Sequence, residues 1–142
     1  MGAEYRESVE AALEAGVPDG AILAALKTTL YDAVDRAAEQ ARRKYITAGA
    51  GQAMTYVQKA DEAKRFLAAE DPQADDYPLL AAEIGITGPE IGDVAAIVSI
   101  AHQNWQQIGA AIEASRLGTK KAIDEADSEA TARAAAAAVM WP

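Results

Sequence analysis

Few residues in this sequence have the types and spacing that chemistry requires. His102 is the single histidine and there is no cysteine, so disulfides, thiolate metal sites and a cysteine nucleophile are excluded. Neither HExxH nor ExxH surrounds His102, and no serine lies in a GxSxG motif. We therefore interpret His102 as a surface or interface residue of a helix, and we predict no metal site.

Two short segments match ligand-binding loops only in part. The glycine-rich run 49–53, GAGQA, lacks the rest of a GxGxxG motif and a following GK[ST], and no strand precedes it. Asp71, Asp75 and Asp76 could attract calcium, but the spacing, central glycine and closing glutamate of an EF-hand are missing. A bend before a helix and a solvated loop explain these segments, so we predict no catalytic residue and no cofactor, and we expect that the protein is not an enzyme.

Composition and charge exclude further classes. The net charge is −9 at pH 7, with a pI near 4.5, and contact with phosphates needs a concentrated basic face. The basic clusters at 42–44 and 120–121 are typical of solvated helix faces. No run of 18 apolar residues and no apolar leader stand in the sequence. We therefore expect no nucleic-acid partner and no membrane association.

Hydrophobic periodicity predicts an all-α fold. Apolar residues recur at steps of three and four along most of the chain, and turn signals such as Pro18-Asp19-Gly20 separate the periodic segments. Much of the apolar content is alanine, which forms helices readily but buries little area, so association with other subunits is expected. The helices are predicted at Glu4–Ala15, 20–46, Gln52–Glu70, 88–126 and 128–139, with a short helical turn at Tyr77–Ile84.

The helices predicted at Gln52–Glu70 and 88–126 are expected to form an antiparallel hairpin, because a short linker joins them. Thr87 and Glu90 fit a capping box at the start of the long helix. Rows of apolar residues on the two helices match, and this predicts that Val57, Ala60 and Leu67 pack against Ile91, Val94, Val98, Trp105 and Ile108. The predicted fold is thus an all-α antiparallel helical hairpin, with a long C-terminal helix and an N-terminal helical arm.

Three regions follow from this interpretation. They are a helical arm at 1–46 for oligomerisation or attachment, a hairpin domain at 47–126, and an apolar tail at 127–142. The arm carries a stripe of large apolar residues with no evident partner in the hairpin, and the tail ends in bulky apolar residues after an alanine run. The candidate interface residues are Leu23, Leu26, Leu30, Val34, Met140 and Trp141. Simple packing of Trp141 within its own chain remains an alternative.

A set of residues between Arg42 and Ala126 carries a resemblance to known proteins. The residues are Tyr45-Ile46-Thr47, Gly49-Ala50-Gly51-Gln52-Ala53-Met54, Tyr56, Lys59, Glu62-Ala63, Tyr77-Pro78-Leu79-Leu80, Glu83, Gly85, Thr87, Trp105, Ile112-Glu113 and Arg116. This combination resembles a helical module of tail-fibre or tail-associated virion proteins of tailed bacteriophages. The N-terminal 41 residues lie outside the resemblance, and no β-rich receptor-binding segment accompanies it.

The resemblance implies a non-enzymatic structural protein of the tail, fibre or baseplate, which acts by helix–helix contacts as an attachment or adaptor element. The alternative is a tail-fibre assembly chaperone that is absent from the mature virion. The implied partners are other virion proteins and other copies of the chain, in a homo-oligomer for which a trimer is one arrangement. The implied location is the tail or fibre region of the virion, after synthesis in the host cytoplasm.

Overall fold

The computed structural model describes residues 2–142 and confirms the all-α prediction. Within this range 76% of the chain is helical, and the extended structure is limited to an isolated bridge between Ile84 and Gly88. A 3-10 turn at Ala74–Asp76 precedes α4. The helices are α1 (Gly2–Glu14), α2 (Asp19–Arg43), α3 (Ala50–Ala68), α4 (Pro78–Ala81), α5 (Ile91–Glu125) and α6 (Glu129–Ala137).

The chain forms two compact units that differ from the three predicted regions. Unit 1 combines the chain up to Ala41 with Ala111–Pro142, and unit 2 comprises Arg42–Ala110. The predicted arm and the predicted tail therefore belong to one unit, together with the second part of α5. The predicted hairpin region, 47–126, is divided between the two units.

In unit 1, a glycine ends α1. Gly16 has a φ of +76°, which is favourable for glycine alone among common residues. Its amide donates to the carbonyl of Leu13 and the amide of Val17 donates to that of Ala12, both at 3.0 Å. This is the Schellman arrangement, and it satisfies carbonyls that the helix end leaves free.

The buried apolar residues of unit 1 lie on three helices. Side chains tie α2 to α5, because Lys27 Nζ donates to the backbone carbonyl of Asp124 at 2.6 Å and Tyr31 Oη donates to its carboxylate at 3.2 Å. Burial and the carboxylate together raise the pKa of Tyr31. The buried apolar set is Leu26, Val34, Ala38, Ala41, Ile112, Ile123 and Ala132.

In unit 2, the core joins the end of α3 to the start of α5. The rings of Phe66 and Tyr77 meet edge to face, with centroids 5.2 Å apart, and Phe66 also lies beside Gly92. These contacts bring the C-terminal end of α3 to the N-terminal end of α5, as in an antiparallel hairpin. The core cluster is Ala63, Tyr77, Leu80, Val94, Ala95 and Val98, with Phe66 and Ile91 packed against it.

The predicted face of α3 was wrong, although the predicted face of α5 was partly right. Val94 and Val98 are in the core, but Val57 and Leu67 are 69% and 52% exposed. Trp105 is half-buried and lies outside the core cluster. The buried side of α3 is instead the one that carries Ala63 and Phe66.

The predicted capping box at Thr87 was also wrong. The hydroxyl of Thr87 donates to Glu83 Oε2 at 2.5 Å and does not cap α5. The helix begins at Ile91, and Asp93 Oδ2 accepts from the amide of Glu90 at 3.3 Å. The hydroxyl of Thr87 binds Glu83 because the tight turn 83–88 brings the two side chains together.

Candidate interaction surfaces

A buried glutamate links α3 and α4 of unit 2 through hydrogen bonds to its carboxylate. Glu62 on α3 is 6% exposed, and its Oε2 accepts from the amides of Leu79 and Leu80 at 2.9 and 3.1 Å. These amides belong to the first turn of α4, where no intrahelical acceptor exists. A carboxylate there also interacts favourably with the positive end of the helix dipole. Glu62 is therefore a cap that fixes α4 against α3.

A second polar group in unit 2 fixes the turn that follows α4. Lys59 Nζ lies 2.6 Å from Glu83 Oε1, and Thr87 donates to the other oxygen of the same carboxylate. Burial alone would raise the pKa of Glu83, but the hydrogen bonds from Lys59 and Thr87 outweigh burial and lower it. The amide of Gly85 donates to the carbonyl of Gly88 at 2.7 Å, which closes the turn. Both carboxylate oxygens of Glu83 thus form contacts that stabilise this turn.

Unit 1 contains an ion-pair network between α2 and α5. Asp35 accepts from Lys120 at 2.6 Å and from Arg116 at 2.9 Å, and Arg116 also forms two hydrogen bonds with Glu113. The hydrogen bonds from Lys120 and Arg116 lower the pKa of Asp35. Glu113 and Asp35 in turn raise the pKa of Arg116. The network orients α2 on α5 in the same way that Glu62 orients α4 on α3.

His102 lies half-buried on α5 in unit 2. Among residues 2–142, no group of three or more histidine, cysteine, aspartate or glutamate side chains is arranged to hold a metal ion. The candidate calcium ligands Asp71, Asp75 and Asp76 are all exposed, on the loop before α4. Over the same range, no helix combines the length and the hydropathy that crossing a membrane requires.

The structure divides the predicted interface stripe of α2. Leu26 and Val34 are 2% and 3% exposed within unit 1, so the expectation that they lack a partner in their own chain was wrong. They are covered because ion pairs and hydrogen bonds hold this side of α2 on the second part of α5. Leu23 and Leu30 are half-buried, so part of each side chain remains exposed.

The predicted tail is helical up to Ala137 and continues as irregular chain. Ser128 caps α6, because its side-chain oxygen accepts a hydrogen bond from the amide of Thr131. The side-chain oxygen of Thr131 in turn accepts a hydrogen bond from the amide of Ser128. Beyond the helix, Ser115 Oγ donates to the carbonyl of Met140 at 3.1 Å. The backbone is thus attached to α5, whereas the side chain of Met140 is 85% exposed and Trp141 is half-buried.

An apolar surface that the sequence analysis placed inside the hairpin lies exposed on α3. We define the α3 row as Ala53, Val57, Ala60, Lys64 and Leu67, which follow one another at alternating steps of four and three residues. All except half-buried Ala60 are exposed, and Met54 beside the row is exposed as well. The spacing had identified the row correctly but had placed it inside the hairpin. On α5, Ile97 and Ile100 are a further pair of exposed apolar residues in unit 2.

Two grooves complete the surface features. The first, in unit 1, has a volume of about 330 Å³ and lies between α1, the start of α2 and the residues around the start of α6. The second, in unit 2, has a volume of about 380 Å³ and is open to solvent. It is formed by the segment Arg43–Ala48 together with Tyr56.

Comparison with protein-family models, with curated proteins and with solved structures gives no match to this chain. The interpretation of these surfaces therefore depends on their geometry.

Proposed function

We propose that the protein is a non-enzymatic structural component of a bacteriophage tail, fibre or baseplate, and that it acts through helix–helix contacts as an attachment or adaptor element. The observation that carries this proposal is the exposure of the α3 row. Four of its five residues are apolar, and apolar side chains at alternating steps of four and three are typical of a helix that packs against another helix. Within residues 2–142, no helix covers Val57 or Leu67, which are 69% and 52% exposed.

The energetic argument concerns the gain from covering the row. Full burial of a valine or leucine side chain contributes roughly 1.5–3 kcal/mol. Val57 and Leu67 lie 69% and 52% exposed in the free chain, so most of that contribution is still available to an intermolecular contact. Ala53 and Ala60 are small, which allows a partner helix to approach closely. The row therefore suits a helical partner.

The polar side chains of the two units support a structural role. Glu62 caps α4, Glu83 holds the turn after α4, and Asp35 pairs with two cations of α5. Each of these carboxylates has a structural partner that explains its position. The resemblance of 42–126 to phage tail proteins adds the biological setting to this proposal.

A census of purified phage particles tests the proposal. Particles are purified from the strain that encodes the chain, and their proteins are quantified by mass spectrometry. We expect the chain to copurify at a fixed ratio to the tail proteins, while abundant host proteins are depleted as the internal control. Its absence from particles, combined with binding to an unassembled fibre protein, would favour the assembly chaperone instead. Absence from particles without any such binding would reject both roles.

A further inference from the structure

The groove in unit 1 combines an apolar floor with an acidic rim. The floor consists of Tyr5, Val9 and Leu13 from α1 and of Ile22 and Leu23 from α2. The rim consists of Asp19 at the start of α2 and of Asp127 and Glu129 beside the start of α6. The volume of about 330 Å³ is enough for one large side chain, since ligand pockets occupy roughly 300–1,000 Å³.

The charge of the rim remains negative after its internal pairing is counted. Arg133 pairs with Glu129 at 3.0 Å, and its guanidinium also lies 4.0 Å from the centre of the Tyr5 ring. One cation therefore offsets one of three carboxylates, and Asp19 and Asp127 keep the rim acidic. An occupant of the groove must offer an apolar or aromatic side chain next to positive charge.

Tyr5, on the floor of the groove, has an unusual hydroxyl. Its oxygen is enclosed and has no hydrogen-bond partner among residues 2–142. Buried polar groups are nearly always paired, so an enclosed donor without an acceptor calls for an explanation. The oxygen has almost no surface open to the groove, so the unpaired hydroxyl is a feature of the interior of unit 1.

The chain itself carries a segment of the required chemistry, in the connection that follows α2. Lys44 is exposed, Tyr45 is 45% exposed, and Ile46 is half-buried. Arg42 and Arg43, the last residues of α2, precede this segment. By contrast, the apolar tail residues Val139, Met140 and Trp141 contain no cation, so they do not suit the acidic rim.

We propose that the groove of one copy binds the segment Lys44–Ile46 of a second copy, with Tyr45 on the apolar floor and Lys44 against Asp127. Two copies that each carry a net charge of −9 repel one another except where a basic surface faces an acidic one. A contact between the basic segment and the acidic rim is compatible with that repulsion. The contact is heterologous because the two surfaces differ, so it generates a ring or an open chain of subunits.

The proposal is tested by sedimentation velocity over a series of protein concentrations at low and high salt. The wild-type chain is expected to grow beyond a dimer as concentration rises, and salt should weaken the association. The charge reversals Asp127→Lys and Lys44→Glu should each weaken it by about tenfold or more. Asp76→Lys and Lys121→Glu are matched controls on exposed positions, and they should associate like the wild type.

An equimolar mixture of the two reversed variants provides the decisive experiment. The Lys44→Glu copy keeps an intact groove and the Asp127→Lys copy keeps an intact segment, so together they form one wild-type contact, and the two reversed charges attract one another in the opposite contact. We expect dimers and larger species in the mixture at protein concentrations at which neither variant associates alone. Circular dichroism and thermal melting of each variant establish that it is folded. A further variant, Tyr45→Ala, leaves the charges unchanged and should also reduce association.

Three results would overturn the proposal. They are a wild-type chain that stays monomeric throughout the concentration series, association that both reversals leave unchanged, and a mixture that fails to form dimers although both variants are folded. None of these results depends on the presence of the chain in phage particles. The inference and the proposed function can therefore fail separately.

Discussion

Helices α2 and α3 both carry apolar residues at steps of three and four, but the exposure of these residues differs between the two units. In unit 1, Leu26 and Val34 on α2 are almost completely buried. In unit 2, Val57 and Leu67 on α3 remain largely in solvent. Similar patterns thus give a covered face in one unit and an open face in the other.

Polar contacts account for the difference. In unit 1, Asp35 of α2 pairs with Arg116 and Lys120 of α5, which is compatible with burial of the adjacent apolar stripe. In unit 2, Glu62 must face the free amides of α4. Val57 and Leu67 lie five residues on either side of Glu62, which places each about 140° around the helix from it. Capping α4 therefore turns the α3 row outward.

The largest effect is expected from removal of a fully buried leucine in unit 2. Leu80 is completely buried in the core cluster, so Leu80→Ala should destabilise the protein by about 2–5 kcal/mol. The matched control is Leu67→Ala on the exposed row, which should change stability by about 0.5 kcal/mol or less in the isolated chain. Urea unfolding followed by circular dichroism measures both. Equal losses would mean that the α3 row is covered.

Loss of the Glu62 charge should have the next largest effect. Glu62→Gln keeps the shape of the side chain but replaces a charged acceptor of two amides, and hydrogen bonds to charged groups contribute about 1.5–3 kcal/mol. Glu70→Gln, at an exposed position after α3, removes the same charge without a cap and serves as control. Hydrogen exchange at Leu79 and Leu80 should increase in the first variant alone. Unchanged exchange there would refute the capping role of Glu62.

Loss of the α6 cap should have a smaller effect, confined to unit 1. Ser128→Ala removes the acceptor for the Thr131 amide, and such changes reduce stability by about 0.5–2 kcal/mol. Hydrogen exchange should increase in the first turn of α6 while α3 and α4 keep their protection. Ser99→Ala, within α5 of unit 2, is the control because it affects no helix cap. Faster exchange in α3 after Ser128→Ala would contradict this local effect.

The ion pairs of Asp35 should have the smallest effect, and one that depends on pH. Because the pKa of Asp35 is lowered in the folded state, its contribution is present above its ordinary pKa of 3.8 and is lost as pH falls through the folded value. The carboxylate is nearly half exposed, so we expect Asp35→Asn to reduce stability by about 1 kcal/mol or less at neutral pH. The difference from wild type should shrink in acid below about pH 4. A difference that persists in acid would show that the asparagine acts through packing.

The helices themselves could be predicted from the sequence, and their rotation could not. Turn residues such as Gly16 and the periodic apolar rows place most helix ends within a few residues of those observed. The facing side of α3 depends on a contact between Glu62 and amides 17 and 18 residues later in the chain. No local pattern encodes that contact. The sequence shows a glutamate among other polar residues of an amphipathic helix.

The same reason explains the errors in the candidate surfaces. The sequence singled out the apolar stripe of α2, but the coverage of Leu26 and Val34 depends on Asp35 and Lys27 meeting α5 about 80–100 residues later. Conversely, the α3 row has the spacing of a helix contact, but the prediction that residues of α5 cover this row was wrong. Exposed Met140 could be predicted from its position beyond the alanine run, because the last side chains of that segment have few neighbours.

The central claim is that the outward-facing α3 row is the contact surface of the protein. The most direct test is the amount of a Val57→Glu, Leu67→Glu double variant that enters purified phage particles, relative to a Gln58→Glu control on the other side of α3. The account predicts that the double variant keeps the wild-type melting temperature and is lost from particles, while the control is incorporated normally. Normal incorporation of a folded double variant would contradict the claim.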